Sequence, residues 1–185
     1  MRSSLPTKLI KLVVNEKSLL SFQESVLLKD FCPHKIKEKY PELVPVIDAL
    51  IAKIPQRKYI TVDVMKHNFL TKGKTCRDTS FHVDGIKNHY IIWSIGSFRT
   101  EFLSESLEIS SLGEMKPKDL AMEIKIKTSS TCKIMEAENS VPMLYDSSCI
   151  HRGRNAEAGS KRIMIRICSS DYIYPKNVDL KKLRI

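Results

Sequence analysis

Two short segments of this chain carry side chains suited to holding a metal ion. The first is Cys76-Arg77-Asp78-Thr79-Ser80-Phe81-His82-Val83-Asp84-Gly85. Residues two apart on a strand share a face, so His82 and Asp84 can present an imidazole and a carboxylate side by side to one ion, with Gly85 ending the strand. Alone this is weak: with five His and 21 acidic residues in 185 positions, chance supplies roughly half an H-x-[DE] match per chain. A half-buried strand end with a hydrogen-bonded histidine accounts for it as well. The second segment, Tyr145-Asp146-Ser147-Ser148-Cys149-Ile150-His151-Arg152-Gly153-Arg154-Asn155, sets another histidine just before a turn. Two imidazoles and one carboxylate form a facial triad, the ligand set of non-heme Fe(II) oxygenases, in which the opposite positions stay open for substrates. Zinc more often takes a third histidine or a closed tetrahedron.

A third element follows, with an arginine, Arg162, eleven positions after His151. In Lys161-Arg162-Ile163-Met164-Ile165-Arg166-Ile167 the alternation predicts a strand with Arg162, Met164 and Arg166 on one face and Ile163, Ile165 and Ile167 on the other. Charged groups are rarely buried unless paired, so two arginines on one strand face either lie in solvent or meet an anion. A guanidinium fork aimed inward can hold a carboxylate near the metal.

Taken together, these residues resemble the 2-oxoglutarate- and Fe(II)-dependent dioxygenases, whose pattern is H-x-[DE], a distal H, and an R or K roughly ten residues later. The matching residues are His82-Val83-Asp84, His151 and Arg162, and the resemblance covers about residues 59–170. It implies a double-stranded β-helix, a squashed jelly-roll barrel of about eight antiparallel strands. It assigns Fe(II), and with it the catalytic centre, to His82, Asp84 and His151. Arg162 would bind the distal carboxylate of the co-substrate 2-oxoglutarate, and Thr100 is similar to the hydroxyl residue that assists there in several members. Arg166 is left open, for the other carboxylate or for the substrate. Tyr145 could supply a hydroxyl to the co-substrate, although an aromatic on a barrel strand is more often core. The implied reaction consumes O2, converts 2-oxoglutarate to succinate, and hydroxylates or oxidatively demethylates a C–H-bearing substrate.

Other residues compete for these roles. Cys149 lies two before His151 and could join an alternative His/Cys set, but a small buried thiol is its commoner role. His89 is a surplus ligand at best, and His34 and His67 have no partners in sequence. Trp93, Phe98 and Phe102 read as core rather than as base-stacking platforms. Arg152, Arg154, Lys161 and Arg162, with Arg99 and Lys87, could form a phosphate-reading rim, although basic loops are usually just solvated.

The elements that must position these groups are mostly strands. Beyond Tyr59 the runs YITVDVM, TSFHVD, HYIIWSI, SFRTEFL, LEIS, TCKIMEA, VPMLYD and KRIMIRICS are strand-like and most are separated by turn residues, which predicts a sandwich or barrel with one shared core. The fold class is therefore mainly β with flanking helices. Before them, KLIKLVV (Lys8 to Val14) reads as a strand. Between Glu42 and Ile54, apolar residues at three- and four-residue steps predict a helix that Pro55 stops. Lys116 to Lys125 is a helix opened by Pro117 or a lid loop. One structural domain is expected: a flanking segment over 1–58, the catalytic core over 59–170, and a basic extension over 171–185.

Composition bounds the partners. The chain has 42% hydrophobic and 28% charged residues, ordinary for a globular protein, and no apolar run long enough for a membrane span. The start lacks a secretory signal, so the cytoplasm is the expected compartment. Five cysteines (Cys32, Cys76, Cys132, Cys149, Cys168), odd in number and without a CxxC pair, point to reduced thiols. Lys and Arg exceed Asp and Glu by 31 to 21, a net charge of +10. That balance favours a nucleobase or nucleotide substrate, with a protein side chain or an anionic metabolite as alternatives; no oligomeric state is implied. The rival from another class is a non-catalytic cupin-like or β-sandwich module that binds metal or nucleic acid.

Overall fold

The computed structural model describes residues 1–21, 26–68, 79–84, 88–97, 99–110, 117–129, 132–155, 159, 161–173 and 175. Along the chain run β1 (Thr7–Lys8), α1 (Glu16–Ser21), β2 (Val26–Phe31), α2 (Pro33–Lys39), α3 (Val44–Ile51), β3 (Tyr59–Asn68), β4 (His89–Gly96), β5 (Glu101–Leu103), α4 (Pro117–Thr128), β6 (Ile134–Glu136), β7 (Met143–Asp146), β8 (His151–Arg152) and β9 (Lys161–Ser170). The strands form two antiparallel sheets. The larger has the order β1-β7-β4-β9-β3-β2 and the smaller β6-β5-β8. An isolated antiparallel bridge between His82 and His151 adds the first ligand segment to the outer edge of β8. The protein is thus mainly β, as the short alternating runs predict.

Alternation along the central strands divides the core. Val62 and Val64 of β3, Ile91, Trp93 and Ile95 of β4, and Ile163, Ile165 and Ile167 of β9 form one continuous apolar face. Ile36 of α2 and Val46, Ile47 and Leu50 of α3 cover it. Each such side chain contributes about 1.5–3 kcal/mol relative to exposure. The opposite face carries Met65, Tyr90, Ile92, Met143, Tyr145, Met164 and Cys168, packed with Phe102 of the smaller sheet. A third cluster joins Leu103, Ile109 and Ile150 to Ile124 of α4.

The helix expected over 42–54 is α3, preceded by a 3-10 turn at Pro41–Leu43. The segment opened by Pro117 is a helix and not a loop. Three expected strands fall short, and of TSFHVD only the His82 bridge forms. Of KLIKLVV only Lys8 belongs to a strand, because its partner β7 is preceded by Pro142, which has no N–H to extend the ladder. Pro142 still accepts from the Leu9 amide at 2.9 Å. In LEIS, Glu108 makes a single bridge to Arg2. Strand β2 was not anticipated, since its Lys29-Asp30 pair interrupts the alternation. Cys76, Gly85, Lys87, Phe98 and 176–185 lie outside the described residues. No helix among those described is long and apolar enough to cross a membrane.

Candidate metal centre

His82, Asp84 and His151 each offer a ligand atom, and these atoms lie within 4.8 Å of one another. The reason is the bridge between the two ligand segments. The His82 amide donates to the His151 carbonyl at 2.9 Å, and the His151 amide returns the bond to His82 at 2.9 Å. Directly opposed residues on antiparallel strands turn their side chains to one face, so the imidazoles meet with ring centroids 4.6 Å apart. Asp84, two residues on, joins them by the strand period, as the sequence spacing requires.

Both imidazoles are anchored through the same nitrogen. His82 Nδ1 lies 2.9 Å from the Ser80 carbonyl, and His151 Nδ1 lies 3.1 Å from the Cys149 carbonyl. A carbonyl oxygen only accepts, so Nδ1 carries a proton in each ring, which leaves Nε2 as the nitrogen that could ligate an ion. Backbone anchoring of the second nitrogen is how proteins orient metal-binding histidines. His151 Nε2 is 3.3 Å from Asp84 Oδ2.

Asp84 is held ionised. Burial works against its charge, but Arg166, His151 and His82 overcome this and keep its carboxyl far below the usual carboxylate range. Its Oδ2 accepts from Arg166 Nη1 at 2.7 Å and from the Tyr145 hydroxyl at 3.0 Å. Tyr145 is thereby bonded to a candidate ligand and packed edge-on to Phe102, with centroids 5.4 Å apart. Burial, reinforced by the Asp84 charge, drives the Tyr145 phenol well above its ordinary pKa, so it stays a donor.

Arg162 and Thr100 also come together. Arg162 is 3% exposed and its Nη2 donates to Thr100 Oγ1 at 3.1 Å, inside the space between the sheets. Gly96 faces Arg162 across β4 and β9 with φ of 96°, and a Cβ there would overlap the Lys161 carbonyl oxygen, so only glycine lets the strands approach. Arg166, whose role the sequence left open, pairs with carboxylates of the chain itself, Asp84 and Asp63.

The competing residues fall elsewhere. Cys149 is buried with its thiol pushed up to about 12 by desolvation, so it stays protonated and a poor ligand. His89 sits 3.3 Å from Arg57 Nη2, and Trp93 is fully buried under the helices. Of the basic rim, Arg152 bonds Glu101, and Arg99 and Arg154 pair with Glu136, so their charges are partly neutralised. Two inward-facing residues have no motif in the sequence. His67 is the cross-strand neighbour of Arg162, and Asp63 that of Arg166. For Asp63 a signal existed: a lone acid inside the apolar run YITVDVM must find a cation if it is buried. Compared with known proteins, the chain matches no family model and no curated protein.

Proposed function

We propose that this protein is an Fe(II)- and 2-oxoglutarate-dependent dioxygenase built on a double-stranded β-helix. One observation carries the reading: His82, Asp84 and His151 bring two imidazole nitrogens and a carboxylate oxygen within 4.8 Å of one another, with His151 Nε2 3.3 Å from Asp84 Oδ2. That separation is bridged by a cation, either a proton on the imidazole or a metal ion. Adjacent ligands of an octahedral ion with bonds of about 2.1 Å stand about 3 Å apart. Two nitrogens and one oxygen, in the correct tautomers and with a depressed carboxyl, fit ferrous iron. The strand orders support that reading: β7-β4-β9-β3 within the six-stranded sheet, and β6-β5-β8 with the bridged His82 segment, offer the strands that a four-plus-four roll requires.

Iron with 2-oxoglutarate and O2 would supply oxidative decarboxylation to succinate and CO2, with one oxygen atom placed in a substrate C–H bond. The chain's own residues do the rest. His82, Asp84 and His151 hold the ion on one side. Arg162, with Thr100 oriented beside it, takes the distal carboxylate of 2-oxoglutarate, a charge-assisted bond strengthened by burial. Phe102, Tyr90, Met65 and Met164 wall the space and exclude water. Tyr145 serves Asp84. The substrate is assigned to the nucleobase or nucleotide class on the net charge of +10, with a protein side chain or anionic metabolite as the alternatives.

A second reading has its own support, because the ion pair of Arg166 with Asp84 closes the triad without any metal. In that reading the protein is a binding module. Anaerobic titration of 2-oxoglutarate into the Fe(II)-loaded protein separates the two. A visible metal-to-ligand charge-transfer band that disappears in His151→Ala is expected for the oxygenase. No band at saturating iron sinks it.

A further inference from the structure

Arg166 is surrounded by more acid than a metal centre needs. Its guanidinium reaches Asp84 through Nη1 at 2.7 Å and Asp63 through Nη2 at 2.6 Å and Nε at 3.0 Å. Asp63 is 3% exposed and sits directly opposite Arg166 on the neighbouring strand β3. It touches neither His82 nor His151 among the described contacts, so it is not a ligand. A buried carboxylate at that depth is costly unless it is fully paired.

Its pairing is unusually complete. Both Arg166 bonds fall on Oδ2, while Oδ1 accepts the Asp30 amide at 2.7 Å. Asp30 delivers that amide from a left-handed conformation, with φ of 58°. It does so where the pairing of β2 with β3 shifts register between Leu28 and Phe31. Outside glycine such a conformation is uncommon and persists where the surroundings require it. The β2 irregularity therefore turns an edge-strand amide onto Asp63. A chain of contacts runs from that irregularity through Asp63 and Arg166 to Asp84.

We propose that Asp63 is the positioning residue of the metal centre: held by the Asp30 amide, it fixes Arg166 so that Arg166 orients Asp84 without repelling the ion. The inference rests on the metal-centre reading above and deepens it. Two physical needs are met at once. A free guanidinium beside the triad would oppose a divalent cation, and Asp63 cancels that charge locally. Arg166 and Tyr145 both donate to Asp84 Oδ2, the oxygen that lies 3.3 Å from His151 Nε2, and so set the rotation of the carboxylate against the imidazoles. Asparagine cannot replace Asp63, because its single oxygen serves either the Asp30 amide or Arg166 and its NH2 then faces the other donor.

Co(II) titration, followed by its visible ligand-field bands, tests this with Asp63→Asn and with Asp63→Asn/Arg166→Met, which removes both charges together. In the single variant Co(II) affinity falls about tenfold or more and the bands shift, with far-ultraviolet circular dichroism unchanged. In the double variant affinity returns to within about threefold of the wild type, while the bands stay shifted because Arg166 no longer orients Asp84. Wild-type affinity and bands in the single variant overturn the proposal. So does a double variant that binds as weakly as the single one, since that is the signature of a merely structural residue. If the single variant does not fold, the double one decides alone, and wild-type bands in it overturn the proposal. Absence of Co(II) binding by the wild type, or binding indifferent to His82→Ala, fails the metal-centre reading instead.

Discussion

The two faces of the larger sheet are made by alternate residues of the same strands, yet they have opposite chemistry. On β9, Ile163, Ile165 and Ile167 pack under the helices, while Arg162, Met164 and Arg166 point between the sheets. On β3, Val62 and Val64 go one way and Asp63 and Met65 the other. The helix-covered face is apolar and buries Trp93 beside three β9 isoleucines, side chains that need no polar partners. The inner face places buried charges in pairs and triples, whose desolvation cost is offset only by geometry. A one-residue shift of register would exchange the two faces, so the apolar side also secures the placement of the chemical side.

This contrast is broken most strongly by emptying the apolar face. Trp93→Ala removes a fully buried indole, and chemical denaturation should register a loss of about 3–5 kcal/mol. Below its melting temperature the variant should still bind Co(II) as the wild type does, because the cavity opens on the side away from the triad. Arg162→Met tests the other face with a change of similar volume. It should weaken 2-oxoglutarate binding about 100-fold, or about 2.7 kcal/mol, while Co(II) affinity stays within about threefold. Equal loss of metal and co-substrate in this variant would mean that Arg162 is structural.

A smaller effect separates buried from surface charge. Glu136 pairs with Arg99 and Arg154 on the smaller sheet, where the groups are partly exposed. Glu136→Gln should change stability by less than about 1 kcal/mol. Freeing those arginines should instead raise single-stranded oligonucleotide binding at low salt and steepen its salt dependence. Unchanged binding would remove the nucleic-acid branch of the substrate assignment.

The chemistry of the inner face was legible wherever it depends on spacing within one strand. His82 with Asp84, and Arg162 with Arg166, follow from the two-residue period alone. His151 was legible as a residue type in the right kind of segment, although only the bridge to His82 explains why the rings meet. Asp63 and His67 escaped because their partners come from register between strands that lie far apart in sequence. Strand β2 escaped for a related reason: the residues that interrupt its alternation are those whose irregular pairing sends the Asp30 amide to Asp63. Arg166 was found with its face correct but its partner open, since an anion from the chain and an anion from solution leave the same trace in sequence.

The two halves of the centre also differ in how firmly they are held. Arg162 sits on a ten-residue strand paired on both sides, whereas His82 and Asp84 lie on a segment with a single bridge. Phe81 and Val83, which flank His82, pack against the cluster containing Ile124 of α4, so the helix backs the ligand segment. Glu123 ties α4 down by accepting from the Ser110 amide and hydroxyl, both at 2.9 Å, and pairs within the helix with Lys127 at 2.8 Å. The Lys127 contact first, and then the Ser110 amide, hold the Glu123 carboxyl down at about 2. A depressed carboxyl adds stability that is complete above the ordinary glutamate value of about 4.3 and is lost as the pH falls through the folded-state value. Between those limits, acid should loosen α4 before the larger sheet responds, and hydrogen exchange should rise first in α4. Glu123→Gln should reproduce that looseness at neutral pH and flatten the acid response. If exchange at α4 and β9 rises together in acid, the ligand segment is as firmly held as the strand that carries Arg162, and the asymmetry between the two halves fails.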